Sequence, residues 1–174
     1  MQLWSEDEAR FGLQPVIRKR WAKRGVRPHA EVNPQYEWTW SYGAVEMATG
    51  NSFFLILPDL RAASVEIFLQ EFASAQGLGA EKIALLLWDG APAHRAQLTV
   101  PMGIELVRIP PQTPELNPSE RLWSPFRGAV ANQTFNCIVE MEEVLITQMK
   151  ALAKEKEYVS SLTNYHWLPS PKSQ

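Results

Sequence analysis

A chain of 174 residues that is 45% hydrophobic and 21% charged carries enough apolar material for one well-packed domain, which excludes a disordered or collagen-like chain. Seventeen Lys plus Arg against nineteen Asp plus Glu leave a net charge of -2, a sum that taken alone points away from nucleic acid. The single cysteine, Cys137, excludes an intramolecular disulfide framework and a four-cysteine zinc site.

The start, MQLWSEDEAR, has acids where an export signal needs a basic segment and an apolar core. The longest fully apolar run, Ile83 to Trp88, is six residues, far short of the roughly 20 that span a bilayer. A cytoplasmic protein with no membrane partner is expected. Gln2 to Asp7 reads as a short strand with Asp7 at its end. Seven cations (Arg10, Arg18, Lys19, Arg20, Lys23, Arg24 and Arg27) and no acid lie between Arg10 and Pro28, which leaves ten cations against nineteen acids elsewhere. Trp21 stands among these cations, a mixture suited to phosphate contact and to stacking on a base or sugar. A solvated surface hairpin is the other reading of such a run.

Tyr36 to Val45, rich in aromatic and β-branched residues, and Ser52 to Leu57 flank the turn signal Thr49-Gly50-Asn51 and predict a β-hairpin. Ser64 to Ala75 predicts an amphipathic helix, because Val65, Phe68, Leu69 and Phe72 recur at helical spacing. Ile83 to Trp88 predicts a central strand covered on both faces. Ile104 to Ile109 is a further strand, closed by Pro110 and Pro111. Asn117-Pro118 opens a helix through SERLWSPFRGAV, with Pro125 expected to kink it. Glu140 to Tyr158 predicts a last helix, with Val144, Ile146, Met149, Leu152 and Ala153 as core positions, and Pro169 to Gln174 a loose tail. Strands followed by alternating helix and strand describe one mixed α/β domain.

Sixteen of the nineteen acids are Glu; Asp occurs at Asp7, Asp59 and Asp89, so an Asp beside a strand invites a question. Asp89 directly follows the buried strand, where open α/β sheets place their ligands. Glu120 falls in the first turn of the helix begun at Asn117. Oxygen ligands from a few carboxylates, with room for water and phosphate, suit Mg²⁺. Structural alternatives stand beside each: Asp89-Gly90 is good turn chemistry, Asn117 to Glu120 has the form of a capping box, and Asp7 sits in an acidic triplet. Spacing does not separate these readings. His94 is placed to orient Asp89 or a phosphate. His29 and His166 share no spacing that suggests zinc, and no Walker loop or nucleophile elbow is present.

DEARFGL, LLLWDGAPAH and PPQTPELNPSERLW, in this order, resemble the three catalytic blocks of mariner-superfamily transposases, above all their bacterial insertion-sequence branch, the six-thirty group. The blocks span Asp7 to Trp123. The resemblance implies an RNase H-like fold, with a mixed central sheet flanked by helices, and a D-D-E triad that falls by motif on Asp7, Asp89 and Glu120. Asp89-Gly90 departs from the Asp-Asn common in relatives, beside a ligand rather than at one. The resemblance further implies two Mg²⁺ ions, replaceable by Mn²⁺, about 3.5–4 Å apart. These would serve cleavage of transposon ends by water and attack of the freed 3′-hydroxyl on target DNA. Arg18, Lys19, Arg20, Trp21, Lys23, Arg24 and Arg27 become candidate DNA contacts, and His94 and Asn117 supporting residues.

Relatives carry N-terminal helix-turn-helix modules, and this chain begins six residues before Asp7. The expectation is therefore a catalytic domain over residues 1–168 with that module absent. Its expected partners are DNA, a second copy of the chain and a separately encoded helix-turn-helix half. The alternatives are an inactive remnant serving as a DNA-binding or assembly module, and another RNase H-like nuclease.

Overall fold

The computed structural model describes residues 1–19, 21, 23–25, 33–95, 97–110, 113 and 116–163. In chain order come β1 (Gln2–Gly12), β2 (Trp38–Glu46), β3 (Ser52–Leu57), α1 (Ala62–Gln76), β4 (Ala84–Trp88), β5 (Ile104–Arg108), α2 (Trp123–Ala129), α3 (Ile138–Leu152) and α4 (Lys156–Thr163). Short 3-10 turns cover Pro92–Arg95 and Pro118–Leu122. The strands form one mixed sheet in the order β3-β2-β1-β4-β5. The β1–β2 and β2–β3 pairs are antiparallel, while β1–β4 and β4–β5 are parallel.

Because side chains alternate along a strand, β1 supplies both layers of the core. Trp4 points to the α1 side and meets Phe72 edge-on at 5.0 Å, within a cluster that also holds Tyr42, Phe68, Leu86 and Trp88. Ala9 and Phe11 point to the opposite side, where Leu122, Trp123, Phe126, Met141 and Leu145 close a second cluster. The four residues that set the helical spacing of α1, Val65, Phe68, Leu69 and Phe72, are all buried.

Several expectations are corrected. β1 is eleven residues long, so Asp7 lies mid-strand rather than at a strand end. Its parallel pairing with β4, however, stops at Ser5 opposite Leu87, and beyond that point β1 is held by β2 alone. β4 is less uniformly buried than a fully apolar run suggests, since Leu85 and Leu87 are half-exposed while Ala84, Leu86 and Trp88 are buried. The helix from Asn117 breaks where its 3-10 turn gives way to α2 at Trp123, not at Pro125. Pro125 sits in the first turn of α2, where its missing N–H removes no helical bond.

The single helix expected over Glu140 to Tyr158 is two, α3 and α4, joined at residues 153–155. Its buried face is Met141, Leu145, Met149 and Leu152; Ile146 and Ala153 are exposed and Val144 only half-buried. Asp59 has a structural task. Its carboxylate accepts from Ser64 Oγ at 2.6 Å in the first turn of α1 and pairs with Arg61, while its carbonyl accepts from the Tyr42 hydroxyl. The expected loose tail, with His166, lies outside the described residues, as does His29. Among the described residues no helix is long and apolar enough to cross a membrane.

Candidate active site

The three acids singled out by sequence lie where the β1–β4 pairing ends. Asp7 comes two residues beyond the last parallel pair on β1, and Asp89 directly follows β4. Glu120 sits on the 3-10 turn that packs against β1. Asn117 makes that packing specific: its Oδ1 accepts from Ser5 Oγ at 2.5 Å and from the Ser119 N–H at 3.3 Å, while its Nδ2 donates to the Glu6 carbonyl at 3.1 Å. One buried amide thus caps the Glu120 turn and staples it to the central strand.

Asp7 faces the α2 side, and the Trp123 indole N–H donates to its Oδ2 at 2.6 Å. Burial pushes the Asp7 carboxyl up to about 7; the Trp123 hydrogen bond opposes this, and the charges of Glu8, Glu120 and Asp89 reinforce it. Asp7 therefore lies within electrostatic reach of both other members of the triad. Asp89, about half-exposed, turns back to accept from the Ala91 N–H at 2.8 Å. Glu120 is exposed.

On the opposite side of the sheet His94 is buried, 1% exposed, and stacked on Trp88 with ring centroids 4.2 Å apart. Arg108 donates to the His94 carbonyl at 2.8 Å and fixes the turn that carries it. His94 Nδ1 lies 2.9 Å from Asp89 Oδ1, and Nε2 lies 2.8 Å from Glu8 Oε1. Two acceptor partners require two N–H groups, so the ring is an imidazolium. Burial alone would depress its pKa, but the hydrogen bonds to Asp89 and Glu8 and the charges of Glu8 and Glu6 outweigh that and push it up to about 11. Glu6 is 2% exposed, and neither of its carboxyl oxygens has a hydrogen-bond partner among the described residues. Burial, together with the nearby Glu8 charge, holds its pKa well above the ordinary carboxylate range.

Among the described residues, the group of three acid and histidine side chains whose ligand atoms all lie within 4.8 Å of one another is Glu6, Glu8 and His94, rather than the D-D-E set. The donor chemistry of the two groups differs. Asp7, Asp89 and Glu120 offer oxygen alone, which hard divalent cations prefer, and two ions would divide those ligands between them. His94 offers no lone pair while both its nitrogens carry protons.

Of the basic segment, Lys19, Trp21, Lys23 and Arg24 are exposed, Trp21 fully so. Arg18 is tied down, its N–H donating to Asn132 Oδ1 at 3.1 Å and its guanidinium to the Ser124 carbonyl at 3.4 Å. Arg20 and Arg27 lie outside the described residues. Sequence reasoning passed over Glu8 and Trp123. The first read as one of three adjacent surface acids, and the second lay within a quoted motif with no partner assigned to it.

Comparison with known proteins fits this geometry. The family model for DDE superfamily endonucleases matches residues 2–142. An uncharacterized protein, y4pE/y4sA of Sinorhizobium fredii, is 36% identical over 87 residues, which are 49% of this chain and 63% of that protein. Two solved structures are similar at 18% identity: the Mos1 strand transfer complex, with a TM-score of 0.60 over 95% of this chain, and a pre-cleavage Mos1 transpososome, with 0.61 over 94%. The chain spans 56% of each Mos1 chain. These likenesses show the RNase H-like fold expected from the motifs. Since the family match runs from the first residues of β1 into α3 and takes in all three site acids, the chain belongs to the DDE superfamily endonucleases.

Proposed function

We infer that this chain is the catalytic domain of a metal-dependent DNA transposase of the bacterial insertion-sequence branch. It cleaves transposon ends and joins the 3′-hydroxyls to target DNA by in-line phosphoryl transfer. The observation that carries this reading is the placement of three acids at the open end of a parallel strand pair, with half-buried Asp7 just past the last β1–β4 pair, Asp89 directly after β4 and Glu120 on the turn packed against β1. A divalent cation relieves the repulsion of Asp7 by Asp89 and Glu120 where a proton otherwise must, and the all-oxygen donor set fits Mg²⁺, with Mn²⁺ as its substitute. Two bound ions held by Asp7, Asp89 and Glu120 would supply Lewis acidity to the attacking and leaving oxygens of the scissile phosphate.

The protein's own part is placement. Asp7 is fixed at the back of the site, while half-exposed Asp89 and exposed Glu120 face the solvent from which a phosphate approaches. His94 orients Asp89, and Asn117 sets the turn that presents Glu120. Arg18, Lys19, Arg20, Lys23, Arg24 and Arg27 contact the DNA backbone, their charge offsetting an otherwise acidic domain, and Trp21 stacks on a base or sugar.

Support comes from the Mos1 structures, which are described as a strand transfer complex, a paired-end complex with a left transposon end, and paired-end complexes with Mn or with Mg. We further propose that the active form is a homodimer acting in the cytoplasm, with transposon ends read by a separately encoded helix-turn-helix half. The test is nicking of supercoiled DNA by the purified protein in Mg²⁺ or Mn²⁺, with Asp89→Asn reducing it to background. Equal nicking by the wild type and Asp89→Asn would overturn the reading and leave a DNA-binding or assembly role.

A further inference from the structure

Trp123 is three residues beyond Glu120, on the helix that continues the Glu120 turn. Its ring is buried, lies edge-on to Phe11 at 6.4 Å and tilted to Phe126 at 5.5 Å, and reaches across the sheet to Asp7. Residue 43 of β2 is the cross-strand neighbour of Asp7, and it is glycine. A Cβ built there would stand 3.0 Å from Trp123 Cη2 and 3.2 Å from Phe54, closer than van der Waals contact allows. The missing side chain at position 43 is the space that the indole occupies. This arrangement is absent from the expected set of site residues, and packing alone does not require it, since a phenylalanine fills an apolar slot as well without donating a hydrogen bond.

We propose that Trp123 is the positioning residue for Asp7: its indole N–H, admitted over β1 by Gly43, fixes the Asp7 carboxylate and couples it to the segment that carries Glu120. The bond takes up one lone pair of Oδ2 and sets the plane of the carboxylate, so Asp7 presents its remaining lone pairs in one orientation. Because donor and Glu120 share one helical segment, a shift of that segment moves two ligands together. The site then assembles as a unit rather than ligand by ligand. The proposal rests on the reading of Asp7 as a metal ligand, and hydrogen bonds to ligating carboxylates act on metal affinity before they act on chemistry.

The experiment is Mn²⁺ binding to the full chain, followed by calorimetry and by the electron paramagnetic resonance of free Mn²⁺. It is paired with nicking measured across Mn²⁺ concentration. Trp123→Phe is expected to weaken Mn²⁺ binding by about 10–100-fold and to raise the Mn²⁺ concentration for half-maximal nicking by a similar factor. Nicking at saturating Mn²⁺ stays close to wild type. Gly43→Ala, which removes no donor and only displaces the ring, is expected to change both in the same direction by a smaller factor. Phe126→Leu disturbs the same cluster without touching Asp7 and should leave Mn²⁺ affinity unchanged.

Equal Mn²⁺ affinity in the wild type and Trp123→Phe overturns the proposal, as does an equal loss in Phe126→Leu. The indole N–H resonance of Trp123, assigned by its loss in Trp123→Phe, gives a readout that needs neither metal nor activity. It should shift in Asp7→Ala, and an unmoved resonance overturns the proposal even where a variant folds poorly. A wild type that binds no Mn²⁺ while this resonance still responds to Asp7→Ala counts against the metal-dependent function and not against the contact.

Discussion

The two faces of β1 carry acids of similar burial and opposite fate. Toward α2, Asp7 has a neutral donor, the Trp123 indole, and no cation among its named partners. Toward α1, Glu8 has a full positive charge, because His94 is held as an imidazolium between Glu8 and Asp89. Among the described residues, the Glu8 face has an internal counter-charge and Asp7 has none. That difference is what the proposed function predicts, with the Asp7 face receiving a cation and the Glu8 face supporting it.

The sharpest way to break this comparison is to remove the internal cation. His94→Leu leaves Glu8, whose side chain is 4% exposed, as a buried anion without its counter-charge. The expected cost is about 3–5 kcal/mol in denaturant-induced unfolding, with nicking lost as Asp89 loses its partner. Adding Glu8→Leu to that variant should restore most of the stability and none of the nicking. A single His94→Leu that unfolds at the wild-type denaturant concentration would refute the compensated face.

Next in size is a pH effect on the uncompensated face. Asp7 rises from an ordinary 3.8 to about 7 on folding, so the folded state keeps a proton that the unfolded chain gives up. The Asp7 contribution to stability is then greatest below pH 4, falls as pH rises through the window from about 4 to 7, and stays level above it, by roughly 4 kcal/mol at the upper bound. Asp7→Asn should flatten the part of the profile due to Asp7, and Mn²⁺ at pH 8 should recover stability in the wild type only. Glu6→Gln, replacing an acid that burial holds protonated, should raise stability above neutral pH with little change below pH 4. Thermal unfolding monitored across pH checks all three, and a wild-type stability that climbs from pH 4 to 7 relative to Asp7→Asn would reverse the sign.

The smallest effect lies outside both faces, on the exposed cations. Lys23→Ala and Arg24→Ala should each weaken DNA binding modestly on every sequence tested and reduce the steepness of its salt dependence by about one unit. An unchanged salt slope in the double variant would remove the segment from the DNA interface.

Much of the site was legible because its chemistry is local in sequence. Asp89 follows six apolar residues, and Glu120 stands two residues after an Asn-Pro pair, so strand end and helix start were both marked. What stayed hidden depends on contacts between distant residues. Glu8 meets His94 across 86 positions, and Asp7 meets Trp123 across 116. No local period records either. The length of β1 was obscured for the same reason: Glu6 and Glu8 look like surface residues until a buried imidazolium faces them from another element. The split between α3 and α4 has neither proline nor glycine to announce it. It follows from packing, with Leu152 and Val159 both buried and the chain bending between them.

The contact between α4 and the Glu120 turn has a consequence for where the working unit ends. Arg121, next to Glu120, donates to the Leu162 carbonyl at 3.2 Å, and Val159 and Thr163 are buried. A side chain on Gly50, whose φ of 72° already excludes most residues, would run into the Lys156 carbonyl at the head of the same helix. α4 is thus a brace wedged between the β2–β3 turn and the segment bearing the third acid. It lies wholly beyond residue 142, where the family match stops. A protein cut back to the shared family residues would keep every acid of the triad and lose the buttress behind one of them.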